Sequence, residues 1–272
     1  MEDFMKLLKF FILSIFGIVL LITACSNNST APIVVTETIK DYFPTTINSY
    51  WKYNVYSTDS TGTWDVTSLT VEKWLVTATT TKFNKSATEL TPVDETNKAV
   101  DSPNYFAVEG NKIYSLPSYI VPKTNFQLPL NLADAWYLIA DKDGSSWSLG
   151  SQQIKDLSVP VPGYGTVVLN GTLTINCKKN GAMKDVKWGA TLDKTNSAQD
   201  YTLEYAFDGN TTVIGLTVPV KFTAITHNWY SKSIGLIRAT LDPLTITVTM
   251  LGSQVFNMQG NDKVLTEYNI AK

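Results

Sequence analysis

The sequence predicts an all-β domain, with few and short helices, built on one large and strongly curved antiparallel sheet of half-barrel character. Three observations predict it. Apolar and polar residues alternate with period two in many segments, which puts one strand face in a core and the other in water. Tight-turn signals rich in Gly, Asn and Asp separate those segments. No stretch sustains helical periodicity. Composition agrees, since the chain of 272 residues holds 35 threonines and 11% aromatics, both of which favour strands. With 44% hydrophobic residues the chain can build a core, so a folded domain is expected. A formal net charge of −2 gives no reason to expect nucleic acid as a partner.

The chain opens with Lys6 and Lys9 before an apolar run over residues 10–22. This is the layout of a secretory signal, and the run is shorter than the ~20 apolar residues of a membrane span. Glu2 and Asp3 fit this leader poorly, and a start at Met5 would remove them. The run ends in Ile22-Thr23-Ala24-Cys25, which resembles the lipobox of bacterial lipoproteins. The resemblance implies cleavage between Ala24 and Cys25, lipidation of the Cys25 sulfur, and acylation of the new N-terminus. Two or more acyl chains make a stable anchor where one binds only reversibly. The expected partner of Cys25 is therefore the membrane. The alternative is an ordinary secretory signal with a chance cysteine. Ser26 after the anchor resembles outer-membrane sorting in a two-membrane bacterium; with one membrane the protein would sit on the outer face of the plasma membrane.

With Cys25 acylated, Cys177 has no partner and no intramolecular disulfide is expected. Cys177 shares a strand face with Leu173 and Ile175 and reads as a small buried hydrophobe.

The expected organisation is a signal peptide over 1–24, a polar tether over 25–40, and a single antiparallel domain over 41–272. Within it, residues 58–62 turn one aromatic strand back into the next. Glu109-Gly110-Asn111 separates two further strands. Asn170-Gly171 is the strongest short hairpin signal, and Asp208-Gly209-Asn210 is another. A short helix is expected around residues 152–157, and Gly163-Tyr164-Gly165 reads as a loop. Residues 244–250 alternate cleanly, and a last strand is expected over 264–270. Pro44 and Trp51 recur as Pro129 and Trp136, at an offset of 85 residues. This reads as two similar strand starts more than as a duplicated half-domain.

Pro44, Trp51 and Tyr53, together with the later Trp229, Tyr230 and Ile234-Gly235-Leu236-Ile237-Arg238, resemble segments of uncharacterised bacterial envelope lipoproteins. That group is similar in layout to the lipoprotein-carrier (LolA/LolB-like) half-barrels, whose curved sheet wraps an apolar cavity. The resemblance implies a concave binding sheet. The terminal helices that the carriers tuck into their cavity are not evident here.

No catalytic constellation is legible. A single histidine, His227, excludes His-rich metal sites and reads as a surface or loop residue near a strand end. No G-x-S-x-G, phosphate-cradling glycine loop or C-x-x-C occurs. Asp141-Lys142-Asp143-Gly144 begins like a calcium loop, but the glycine comes too early, and a strand turn is the better reading. Asp193 and Asp200 are candidates for a carboxylate pair only if the fold brings them together. No cofactor or metal is expected. The aromatics remain, and Trp51, Tyr53, Trp136 and Trp229 are the candidate ligand surface, against the simpler reading of core residues. The expected function is a membrane-anchored, non-catalytic binding module for an apolar ligand or a partner protein of the envelope. The alternatives are a structural lipoprotein with a filled core and, behind it, a hydrolase.

Overall fold

A computed structural model describes residues 38–120, 130–161, 165–213, 216–250 and 252–272. Ala24, Cys25 and the leader lie outside the described residues, as do Pro129, Gly163 and Tyr164. A 3-10 turn, Ile39–Tyr42, comes first, and Ile39 and Tyr42 are already buried in the main core. The strands follow as β1 (Tyr50–Thr58), β2 (Trp64–Lys82), β3 (Lys85–Val93), β4 (Asn104–Glu109) and β5 (Lys112–Ser115). A single helical turn, α1 (Pro117–Ile120), leads on to β6 (Tyr137–Asp141), β7 (Ser146–Val161), β8 (Gly165–Trp188) and β9 (Lys194–Val213). The last are β10 (Leu216–Ser231), β11 (Gly235–Leu241), β12 (Leu244–Met250), β13 (Gly252–Met258) and β14 (Gly260–Asn269).

All pairings are antiparallel, and twelve strands form one path in the order β6-β5-β4-β3-β2-β1-β14-β11-β10-β9-β8-β7. The β12–β13 hairpin leaves this path through Val220 and Lys221 of β10. Period two is visible in β10, where Val218, Val220, Phe222 and Ala224 are buried and the residues between them are exposed. Neighbouring strands hold the same phase, so that Leu173, Phe207 and Phe222 form one row across β8, β9 and β10. The two phenylalanine rings stack at 4.9 Å. Ile175, Tyr205 and Ala224 form the next row.

Two turn signals are corrected by this register. Asn170-Gly171 and Asp208-Gly209-Asn210 lie in mid-strand, in β8 and β9, where Gly171 faces Gly209. Both positions need glycine for close approach: a Cβ on Gly171 would stand 2.5 Å from the Asp208 carbonyl oxygen, and one on Gly209 would stand 2.3 Å from that of Asn170. The Phe207 ring lies over both, with Cζ less than 3 Å from each missing Cβ. The glycines thus let an aromatic ring cover the strand pair, where isolated glycines in a strand often mark a bulge or close contact. The expected helix at 152–157 is also corrected. These residues continue β7, and the irregularity that broke their alternation is a bulge between Ile154 and Leu157, with Asp156 at φ 54°.

Bulges also interrupt β1, β2, β5, β8 and β10. Each adds local twist and bend, and together they curl the sheet past a half-barrel into a nearly closed barrel. Its two edges, β6 and β7, are consecutive in sequence. The Trp147 indole crosses between them and donates Nε1–H to the Leu138 carbonyl at 2.5 Å. The Ser145 carbonyl accepts from the Lys179 amide at 2.9 Å. The turn Glu109-Gly110-Asn111, the 58–62 turn and the strand at 244–250 all form where the sequence puts them. The last strand starts at Gly260, earlier than expected, and Trp136 ends just before β6 instead of opening a buried strand as Trp51 does in β1.

One half of the lumen is packed by apolar side chains of β7 to β10 and β12. The turn α1 sits inside it: Ile120 is fully buried, and its carbonyl accepts a hydrogen bond from the Tyr205 hydroxyl. A second cluster lies where the end of the β8–β9 hairpin, with Val186, Trp188 and Ala198, packs against Ile237, Val264 and Leu265.

Candidate functional site

The segment from Pro44 to Tyr53 and the segment from Trp229 to Arg238 meet in space. Trp51 of β1 donates its indole N–H to the Ile234 carbonyl at 2.5 Å, and the Tyr53 hydroxyl donates to the Leu236 carbonyl at 2.9 Å. Gly235, at φ 97°, lets the backbone pass against Trp51 and Pro44. This joint holds the β10–β11 turn over β1 and forms the wall of a small apolar chamber of about 50 Å³ between Phe43, Trp51, Leu90, Phe106 and Tyr230.

Next to it lies a larger chamber of about 330 Å³, and the two share Trp74, Tyr119, Leu236 and Lys263 as their common wall. Side chains reach this chamber from around the barrel: Ser57 from β1, Glu72 from β2, Asn104 from β4, Leu203 from β9, Thr226 and Asn228 from β10. The volume is at the lower end of the ~300–1,000 Å³ found for small-molecule sites. Its lining mixes amide and hydroxyl groups with apolar side chains such as Val55, Trp74, Leu203 and Leu241, so the expected cavity is present and is not purely apolar.

Lys263 stands at the junction. Its Nζ lies 2.6 Å from Glu72 Oε2 and 5.2 and 5.6 Å from the ring centres of Trp74 and Tyr53. Glu72 also accepts from the Trp74 indole at 3.0 Å. The Tyr119 hydroxyl is 3.0 Å from that of Tyr230 and 3.4 Å from Asn228 Oδ1, so α1 is tied to β10 across the lumen. Burial holds the phenols of Tyr53, Tyr119, Tyr205 and Tyr230 above their ordinary range. They are neutral hydrogen-bonding groups at any physiological pH.

The four candidate aromatics therefore separate. Trp51 and Tyr53 line the apolar chamber. Trp136 does not; it donates to the Lys82 carbonyl at 3.0 Å, at the β2–β3 turn. Trp229 is on the outer face, stacked on His227 with ring centres 5.2 Å apart and with the Arg238 guanidinium 5.9 Å from its own. Asn104, Thr226, Glu72 and Lys263 were not legible as site residues. The signal lay in the phase of β10, whose inward positions run Val218, Val220, Phe222, Ala224 and then turn polar at Thr226 and Asn228.

His227 lies on the outer face, as the surface reading has it, but within β10 and in a charged row instead of a loop. Its Nδ1 is 2.7 Å from Asp200 Oδ2 and its Nε2 is 3.5 Å from Asp242 Oδ2. The hydrogen bond to Asp200, then that to Asp242, raises its pKa to about 9. A ring with a carboxylate on each nitrogen stays protonated and has no lone pair to take a proton from a nucleophile. The row continues through Arg238, which forks onto Asp262 at 3.0 and 2.6 Å, and Trp64, which donates to the same carboxylate at 2.8 Å. Asp193 and Asp200 do not form a pair: they are seven residues apart along an extended chain, or roughly 20 Å. Among the described residues no group of three His, Cys, Asp or Glu side chains is placed to hold a metal ion. Nor does any described helix have the length and apolarity to cross a membrane. Cys177 is free, 1% exposed, and its thiol is pushed up to about 12 by burial.

No family model matches the sequence, and no curated protein does. Two solved structures are similar in the course of the chain. One, described as a candidate lipoprotein from Parabacteroides distasonis, has a TM-score of 0.43 and 11% identity over 84% of this chain and 98% of its own. The other, described as a candidate exported protein with a YmcC-like fold from Bacteroides fragilis, has a TM-score of 0.37 and 12% identity over 84% and 98%.

Proposed function

We propose that this protein is an exported, lipid-anchored component of a bacterial envelope whose barrel binds a small molecule in its lumen and catalyses no reaction. The observation that carries the binding reading is the chamber of about 330 Å³, which is walled by side chains from β1, β2, β4, β9, β10, β11 and β14. The anchor rests on the leader and on Ile22-Thr23-Ala24-Cys25. The filled apolar half of the lumen, with α1 packed inside it, favours a second reading in which the barrel is a structural or interaction domain with no ligand.

Native mass spectrometry of the full chain, extracted from cells in detergent, tests the first reading against the second. A bound species of fixed mass is expected in the wild type and absent in Ala239→Phe, which fills the chamber. No bound species, together with a higher thermal transition in Ala239→Phe, would mean that the chamber is a packing gap. Labelling with radioactive palmitate tests the anchor, and incorporation that persists in Cys25→Ser would overturn it.

A further inference from the structure

The chemistry of the larger chamber narrows its ligand, and the argument rests on the binding reading above. Glu72 and Lys263 are the charged residues in its wall, and they neutralise each other at 2.6 Å. An anionic or cationic ligand would have to break that pair and leave one charge without a partner in a partly buried site. The groups left over are uncharged. Asn104 is 6% exposed, and its amide has no hydrogen-bond partner among the described residues. Thr226 Oγ1 is buried and unpartnered as well. Both line the same chamber. A buried amide or hydroxyl with no partner is destabilising, and native proteins satisfy such groups with protein, water or ligand. Asn104 offers both donors and an acceptor, and Thr226 one of each kind, so together they suit neighbouring hydroxyl groups.

Size and shape add a second restriction. At about 330 Å³ the chamber is at the small end of ligand sites, on the scale of a single sugar residue. The apolar chamber beyond Trp74 and Lys263 holds about 50 Å³, enough for a methyl-sized group and far too little for an acyl chain. We infer that the lumen binds a neutral saccharide residue that carries a small apolar substituent, such as an acetamido sugar. The hydroxyls meet Asn104 and Thr226, the ring edge lies against Trp74, and the methyl group enters between Trp51 and Phe106. The saccharide is free or terminal on a longer glycan.

The test uses the full chain, extracted in a detergent without a sugar headgroup. Tryptophan fluorescence and saturation-transfer NMR follow a panel of neutral hexoses, N-acetylglucosamine, N-acetylgalactosamine and sodium dodecanoate. Saturable binding of an N-acetylhexosamine at millimolar concentration is expected, weakened tenfold or more by Asn104→Leu and several-fold by Thr226→Val. Because each variant removes an unpartnered polar group, its thermal transition should equal or exceed that of the wild type, and Thr226→Val tests the site even if Asn104→Leu fails to fold. Binding of dodecanoate with no saccharide bound overturns the sugar class and leaves the binding reading in place. Saccharide binding that is indifferent to both variants overturns the site. No binding from the panel overturns the inference, and if no species co-purifies either, the binding reading falls with it.

Discussion

The Trp51 indole donates to the Ile234 carbonyl at 2.5 Å across 183 residues of sequence, inside a protein core. It joins the first strand of the barrel to the turn between β10 and β11, and Tyr53 repeats the contact two residues on. Trp51→Phe keeps most of the apolar contact and leaves a buried carbonyl unpaired, which should cost about 1–3 kcal/mol. For a domain of this size each kcal/mol lowers Tm by roughly 2–4 °C. Differential scanning calorimetry should therefore show a fall of several degrees, with a smaller fall for Tyr53→Phe. A Trp51→Phe protein with an unchanged transition would mean that the joint does not hold the barrel together.

Gly171 and Gly209 should be among the least replaceable residues in the chain. Alanine at either meets backbone at 2.5 Å or less, and overpacking of that kind costs typically 1–3 kcal/mol. Phe207→Ala removes the ring that covers both glycines and should be at least as damaging, since loss of a buried phenylalanine costs about 3–5 kcal/mol. Urea titrations of the three variants check this. Tolerance of Gly171→Ala with an unchanged midpoint would restore the view of Asn170-Gly171 as a turn.

That pair also shows how far the sequence can be read. The sheet was legible because β-strand alternation is local: Leu244 and Ile246, or Leu173, Ile175 and Cys177, declare their face without any knowledge of partners. Turn signals are local too, yet glycine serves two needs, a left-handed backbone and a missing Cβ. Gly110 at φ 56° meets the first and was read correctly. Gly171 meets the second, and only the register that sets it against Gly209 reveals it. The site is harder still. Trp51 and Tyr53 stood out as aromatics at a strand start, while Asn104 and Thr226 are ordinary strand residues until closure of the barrel turns them toward one chamber. Barrel closure depends on bulges, such as the one between Ile154 and Leu157, which in sequence look only like broken alternation.

Cys177 should be chemically silent in the folded protein. With its thiol at about 12, the thiolate fraction at neutral pH is negligible, and burial blocks access. If Cys25 is acylated, Cys177 is the single titratable thiol. Ellman's reagent should then read no thiol in buffer and one per chain in guanidinium chloride. Stoichiometric labelling of the native protein without loss of structure would place Cys177 at the surface.

His227 should make stability depend on alkaline pH. Its folded pKa of about 9 lies above the ordinary 6.5, because Asp200 and then Asp242 hold the imidazolium. A group whose pKa is raised by folding binds its proton more tightly in the native state. Its contribution is complete below the unfolded value, near pH 6, and is lost as pH rises through about 9. At about 1.4 kcal/mol for each tenfold change in proton affinity, the two carboxylate contacts are worth roughly 3 kcal/mol at pH 6. Other groups titrate near pH 10, so the measurement is a difference: the unfolding free energy of wild type minus that of His227→Gln, taken at pH 6 and at pH 10. The gap should shrink by most of its value between the two. Asp200→Asn should bring the pKa of His227 down toward its ordinary value, and Asp242→Asn should lower it less, since its carboxylate is farther away at 3.5 Å. With one histidine in the chain, a single imidazole C–H resonance reports the titration directly by NMR. A midpoint near 6.5 in the wild type would show that the carboxylates do not hold the ring, and would remove the contacts of His227 with Asp200 and Asp242 as a source of stability.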